Sequence, residues 1–101
     1  MNVIAVTACP TGIAHTYMAA DALRKAATKQ KIQIKIETQG AMGIDNLLTA
    51  HDIARADVVL IVSDIEIEQA ARFRGSNAVK IAMEEVLLDA EKALTFYCRS
   101  D

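Results

Sequence analysis

Two short apolar runs constrain the fold of this 101-residue chain more than any other feature. Val3-Ile4-Ala5-Val6 and Val58-Val59-Leu60-Ile61-Val62 contain no polar residue. A strand with one wet face alternates polar and apolar side chains. An unbroken apolar run suits a strand covered on both faces, as in a parallel sheet sandwiched between helices. Both runs fall far short of the roughly 20 apolar residues a membrane-spanning helix needs. Helical periods surround them. Ala14, Met18, Ala22 and Ala26 recur every four residues, with Ala19 and Leu23 widening the stripe and Asp21, Arg24, Lys25 and Lys29 opposite. This stripe puts Met18 in the core. Val79, Ala82, Met83, Val86, Leu87, Ala90 and Leu94 form a second stripe, predicting one long amphipathic helix. Ile32, Ile34 and Ile36 alternate with Gln33, Lys35 and Glu37, the period of an edge strand with one solvated face. Gly40 and Gly43 mark a loop, and Thr49 and Asp52 stand at capping-box spacing before a short helix ending at Arg55. Residues 66–71 read as one or two helical turns, and Arg72-Phe73-Arg74 as a short edge strand.

Strands alternating with helices give the α/β class. The expectation is a three-layer sandwich, a four-stranded, mainly parallel sheet with helices on both faces. The two unbroken runs become central neighbours and the alternating strand lies outside the first, so the order is 2-1-3-4, in one domain over residues 1–101. In such sheets ligands bind beyond the carboxyl ends of the strands where the order reverses, which points to the loop after Ala8. Composition narrows the function. A 52% hydrophobic and 24% charged chain is globular rather than disordered. Eleven basic against 13 acidic residues, with two Tyr, two Phe and no Trp, provide no basic field for nucleic acid. Cys9 and Cys98 form neither a C-x-x-C pair nor a zinc spacing, and His15 and His51 have no carboxylates at ligand spacing, so neither metal nor cofactor is expected. The start of the chain lacks the charged leader of a signal peptide, which suggests the cytoplasm, where free thiols are normal.

The loop itself reads Cys9-Pro10-Thr11-Gly12-Ile13-Ala14-His15-Thr16. The start of a helix presents unpaired N–H groups and a partial positive charge, a ready site for phosphate. The same field lowers the pKa of a thiol placed there. Gly12 lets the backbone turn its N–H groups inward around an oxyanion, and Thr11 and Thr16 offer hydroxyl donors. A thiolate attack on phosphorus follows, with Cys9 as nucleophile. The competing reading of Cys9 is a buried core cysteine at a strand end. His15 reads either as a stabiliser of the phosphorylated thiol or as a loop histidine bonded to backbone. Cys98 reads as a bystander near a fraying helix end, and His51 as solvated.

These eight residues resemble the signature loop of the fructose-type IIB domains of the bacterial phosphoenolpyruvate-dependent sugar phosphotransferase system. The likeness continues through Met18-Ala19-Ala20, Glu37-Thr38-Gln39-Gly40, Leu48-Thr49-Ala50, Asp52-Ile53, Ala56-Asp57-Val58-Val59, Asp64-Ile65-Glu66 and Arg72-Phe73. The resemblance implies that Cys9 takes a phosphoryl group from a phosphohistidine on a IIA partner. It also implies that Cys9 passes the group to fructose or a similar sugar held by a IIC membrane partner, the chain itself not entering the membrane. Pro10, Thr11, Gly12, Ile13, Ala14 and Thr16 match the phosphate-binding loop, and Gln39 and Gly40 are candidates to line the site. Two departures stand out: Ser76 follows Gly75 where the family often has Lys, and Tyr17 replaces a frequent Phe. The chain starts at its first strand and stops soon after its last helix, and so reads as a free-standing IIB protein. Asp64, Glu66 and Glu68 would repel a phosphorylated thiol and are assigned to solvent or to partner recognition. Two rival functions remain. A small cysteine-dependent phosphatase uses C-x5-R, whose Arg position holds His15 here. A non-catalytic regulatory module would keep the fold and use Cys9 as a sensor. A thioredoxin-like role lacks a resolving cysteine.

Overall fold

Both apolar runs become central strands. A computed structural model describes residues 1–9, 14–41 and 43–98. In chain order the elements are β1 (Asn2–Ala8), α1 (Ala14–Lys29), β2 (Gln33–Gly40), β3 (Gly43–Asp45), α2 (Ala50–Arg55), β4 (Val58–Ser63), a 3₁₀ turn (Ala70–Phe73), β5 (Ala78–Ile81), α3 (Met83–Leu88) and α4 (Ala90–Tyr97). The sheet runs β3-β2-β1-β4-β5. β1 is parallel to β2 and β4, β5 is parallel to β4, and β3 is antiparallel to β2. Alternate residues of β1 feed two cores. Val3 and Ala5 pack with Leu23, Ala27, Val86 and Leu94 under α1, α3 and α4. Ile4, Val6 and Ala8 pack with Leu48, Val59 and Phe73 on the face covered by α2 and the 3₁₀ turn. Among the described residues, no helix is long and apolar enough to cross a membrane.

The three-layer architecture and the placement of the two runs agree with the sequence reading, and several details differ. The sheet has five strands rather than four. β3 is an added antiparallel strand that pairs only with Thr38–Gly40, so β2 is an edge strand over its first part alone. The fourth parallel strand is Ala78–Ile81, not residues 72–74. Phe73 enters the second core and Arg72 bonds Glu37, which draws that stretch into a compact turn. Val79 satisfies a helical stripe as readily as a strand, and periodicity cannot separate the two over so short a run.

The predicted long helix is therefore shorter, and it is broken at Asp89. This residue stands at φ −161°, ψ 90°, and its side chain accepts from the Lys92 N–H to start α4. Met18 is 57% exposed, not core. A strict four-residue spacing advances about 40° per step around a 3.6-residue helix. The stripe that starts on exposed Ala14 and Met18 thus reaches the buried face only at Ala26; that face is Thr16, Ala19, Ala20, Leu23, Ala26 and Ala27. Cys98 is buried beside Leu94 rather than frayed. Glu37, predicted on a wet face, is fully buried.

Candidate functional site

β1 delivers Cys9 to the carboxyl edge of the sheet, and α1 begins shortly after it. Pro10, Thr11, Gly12 and Ile13, the predicted phosphate-binding residues between them, lie outside the described residues. Cys9 is 5% exposed and belongs to the core under α1. Its sulfur also has a polar neighbour: the Thr16 hydroxyl donates to Cys9 Sγ at 3.0 Å. Thr16 sits in the first turn of α1 with no exposure. A second hydroxyl fixes that turn to the sheet, since Thr7 Oγ1 donates to the Thr16 carbonyl at 3.1 Å. Thr7 was not singled out from sequence. Inside an otherwise apolar strand, a hydroxyl that needs a partner is the signal that would have found it. Ala14 and His15 face solvent on the same turn, and His51 is exposed on α2.

A buried polar cluster lies on the other face of the same edge. Arg72 donates through Nη1 to Glu37 Oε1 and through Nη2 to Oε2, each at 2.6 Å. The Leu48 N–H donates to Oε1 and Gln39 Nε2 to Oε2, both at 2.8 Å. Arg72 also donates to the carbonyls of Leu48 and Gln69, both at 2.9 Å, and its guanidinium lies 4.8 Å from the centre of the Phe73 ring. Burial alone would push the Glu37 carboxyl up. The hydrogen bonds and charge of Arg72, with the bonds from Leu48 and Gln39, outweigh it and hold the carboxyl below its ordinary value. Gln39 is thus committed to Glu37 and to the backbone of Glu68, and Gly40 is half-buried behind it. Asp64, Glu66 and Glu68 are exposed, as expected. Sequence reasoning flagged Arg72 and Glu37 separately and had no means of pairing residues so far apart in the chain.

Comparison with known proteins follows the same geometry. The family described as "PTS system, Lactose/Cellobiose specific IIB subunit" matches residues 4–96. The PTS system fructose-like EIIB component 2 of Escherichia coli (strain K12) is 45% identical over 94 residues, covering 93% of this chain and 89% of that protein. A PTS system fructose-specific EIIB'BC component of Vibrio cholerae is 51% identical over 79 residues, 78% of this chain and 13% of that longer protein. A crystal structure described as a predicted fructose-specific IIB from Escherichia coli superposes with a TM-score of 0.88 at 41% identity, covering 96% of this chain and 86% of that one. The strand order, the cysteine at the end of β1 and these likenesses agree: the chain belongs to the IIB phosphotransferase components of the sugar phosphotransferase system, in the fructose-type group.

Proposed function

We propose that the protein is a phosphocysteine carrier. The Cys9 thiolate attacks the phosphorus of a phosphohistidine on a IIA donor. An S–P bond forms as the N–P bond breaks, and the imidazole leaves with the electron pair. A hydroxyl of a sugar held by a IIC membrane partner then attacks the same phosphorus. The S–P bond breaks, the thiolate is regenerated, and the hydroxyl proton is released. Fructose or a fructose-like sugar is the substrate. The Vibrio cholerae relative carries B and C components in one name, which supports a IIC partner. The whole chain acts as one cytoplasmic domain.

One observation carries this reading: the sulfur at the end of the central strand accepts a hydrogen bond from Thr16, in the first turn of the following helix. A donor on sulfur and the positive end of a helix both favour the thiolate. Pro10, Thr11, Gly12, Ile13, Ala14 and Thr16 form the phosphate-binding loop in this reading, His15 stabilises the adduct, and Gln39 and Gly40 border it. Backbone donors supply the positioning and charge stabilisation that phosphoryl transfer needs, so no cofactor is invoked.

The test supplies phosphoenolpyruvate, the general phosphotransfer proteins and a IIA donor with labelled phosphate. Wild type takes up label and Cys9→Ser does not. Equal labelling of both overturns the reading, and rapid turnover of a simple phosphomonoester by the protein alone replaces it with a phosphatase. His15→Ala shortens the lifetime of the adduct, and an unchanged lifetime removes His15 from the mechanism.

A further inference from the structure

Alternation along β1 sends Val3, Ala5, Thr7 and Cys9 to the face under α1. Thr7 carries the hydroxyl of that row. It has no exposure and lies inside the sheet, opposite Thr38 on β2 and Val62 on β4. A valine has the same shape, suits a buried strand at least as well and has no hydroxyl to desolvate. Stability alone therefore gives no reason for threonine here. Its hydroxyl donates to the Thr16 carbonyl at 3.1 Å, an oxygen that the hydrogen-bond ladder of α1 also uses.

Thr16 is thereby tied to β1 and its exit twice, through its carbonyl to Thr7 and through its hydroxyl to the Cys9 sulfur. That hydroxyl has a single proton to donate. A threonine inside a helix can turn it to the carbonyl four residues back. The other threonines within α1 and α4 do so: Thr28 donates to the Arg24 carbonyl at 3.0 Å and Thr95 to the Glu91 carbonyl at 2.9 Å. Thr16 aims its hydroxyl out of the helix, at sulfur. We infer that Thr7 is a positioning residue for the Cys9 nucleophile: its bond to the Thr16 carbonyl fixes the first turn of α1 on β1 and so keeps the Thr16 hydroxyl on the sulfur. This deepens the carrier reading and rests on Cys9 being the phosphoryl acceptor.

The test is the pH profile of alkylation, read on the peptide that contains Cys9. The midpoint reports ionisation of the thiol, and the plateau at high pH reports access to it. Wild type is compared with Thr7→Val, Thr7→Ser, Thr16→Val and the double replacement Thr7→Val with Thr16→Val. Thr7→Val keeps the side-chain shape and leaves the Thr16 carbonyl its helix bond, so the variant folds. The titratable groups on the elements around Cys9 are His15 and Tyr17 on α1, Glu37 on β2 paired with Arg72, Asp64, Glu66 and Glu68 after β4, and Glu84 and Glu85 in the first turn of α3. All remain in every variant, so their effect on Cys9 cancels in the comparison. Weakening the aimed arrangement about threefold moves the midpoint by about half a pH unit. The expected midpoint is therefore higher by about half a pH unit or more in Thr7→Val and near wild type in Thr7→Ser. In the Thr16→Val background, Thr7→Val adds no further rise. A wild-type midpoint in folded Thr7→Val overturns the inference, however far its melting temperature falls. So does an equal rise with and without the Thr16 hydroxyl. Either failure leaves the carrier reading standing, whereas absence of phosphate label on wild-type Cys9 defeats that reading and the part of this linkage in phosphoryl transfer.

Discussion

Cys9 and Cys98 are almost equally hidden, at 5% and 7% exposure, so burial does not single out the proposed nucleophile. Their surroundings do. Burial pushes the Cys98 thiol up. Cys9 has the Thr16 hydroxyl on its sulfur. A hydrogen bond to a charged group contributes about 1.5–3 kcal/mol, and each pH unit corresponds to about 1.4 kcal/mol. Thr16→Val therefore raises the titration midpoint of Cys9 by about one to two pH units, measured by the pH dependence of alkylation, whereas Thr16→Ser leaves it near wild type. An unchanged midpoint in Thr16→Val contradicts the assignment. In wild type, Cys9 alkylates faster than Cys98 at neutral pH. The candidate loop stands out in the sequence because cysteine, glycine and threonine sit within a few residues. The Thr7 bond to the helix does not, because nothing in a linear sequence says which carbonyl a buried hydroxyl will meet.

Local signals determined the elements well where they were chemically specific. Thr49 and Asp52 form the reciprocal capping box that their spacing suggests, with the Asp52 N–H on Thr49 Oγ1 and the Thr49 N–H on Asp52 Oδ2. Lys35 reaches the same carboxylate at 2.7 Å. The Lys35 bond, followed by the bond from the Thr49 backbone, lowers the Asp52 carboxyl to about 2. A depressed carboxyl stabilises above its unfolded value and loses that contribution as pH falls through its folded value. The Asp52 contribution is thus complete above about pH 4 and disappears towards pH 2. Thr49→Ala lowers stability to denaturant by about 1 kcal/mol, the usual loss for an N-cap threonine, and moves the Asp52 midpoint upward in an NMR titration. A midpoint that stays near 2 would show that Lys35 and the Thr49 backbone set it without the hydroxyl. Apolar periodicity was less reliable than caps. It rotated the stripe of α1 towards Met18, and it merged β5, α3 and α4 into one helix because Val79, Met83, Val86 and Leu94 all fit a single stripe.

At the scale of the whole molecule, the sheet order followed from two apolar runs, while the closure of its carboxyl edge did not. Glu37 reads as solvated because period-two alternation cannot anticipate that residues 64–73 fold over that face. Its carboxyl lies below its ordinary value, so the pair contributes stability that is fully present above the unfolded carboxyl value, about 4.3, and is lost as pH falls through the lower folded value. Glu37→Ala leaves Arg72 without its partner and lowers unfolding stability by about 3–5 kcal/mol. The double replacement Glu37→Leu with Arg72→Met retains most of the stability and shows a flatter acid profile below about pH 5. A profile as steep as wild type would assign the acid sensitivity to other carboxylates. The proposed carrier role comes down to a single covalent bond, and peptide mapping of the phosphorylated protein by mass spectrometry locates it. The account predicts one phosphoryl group on the peptide containing Cys9, absent when Cys9 is alkylated beforehand. A phosphoryl group carried by His15 or His51, with the Cys9 thiol still open to alkylation, would contradict it.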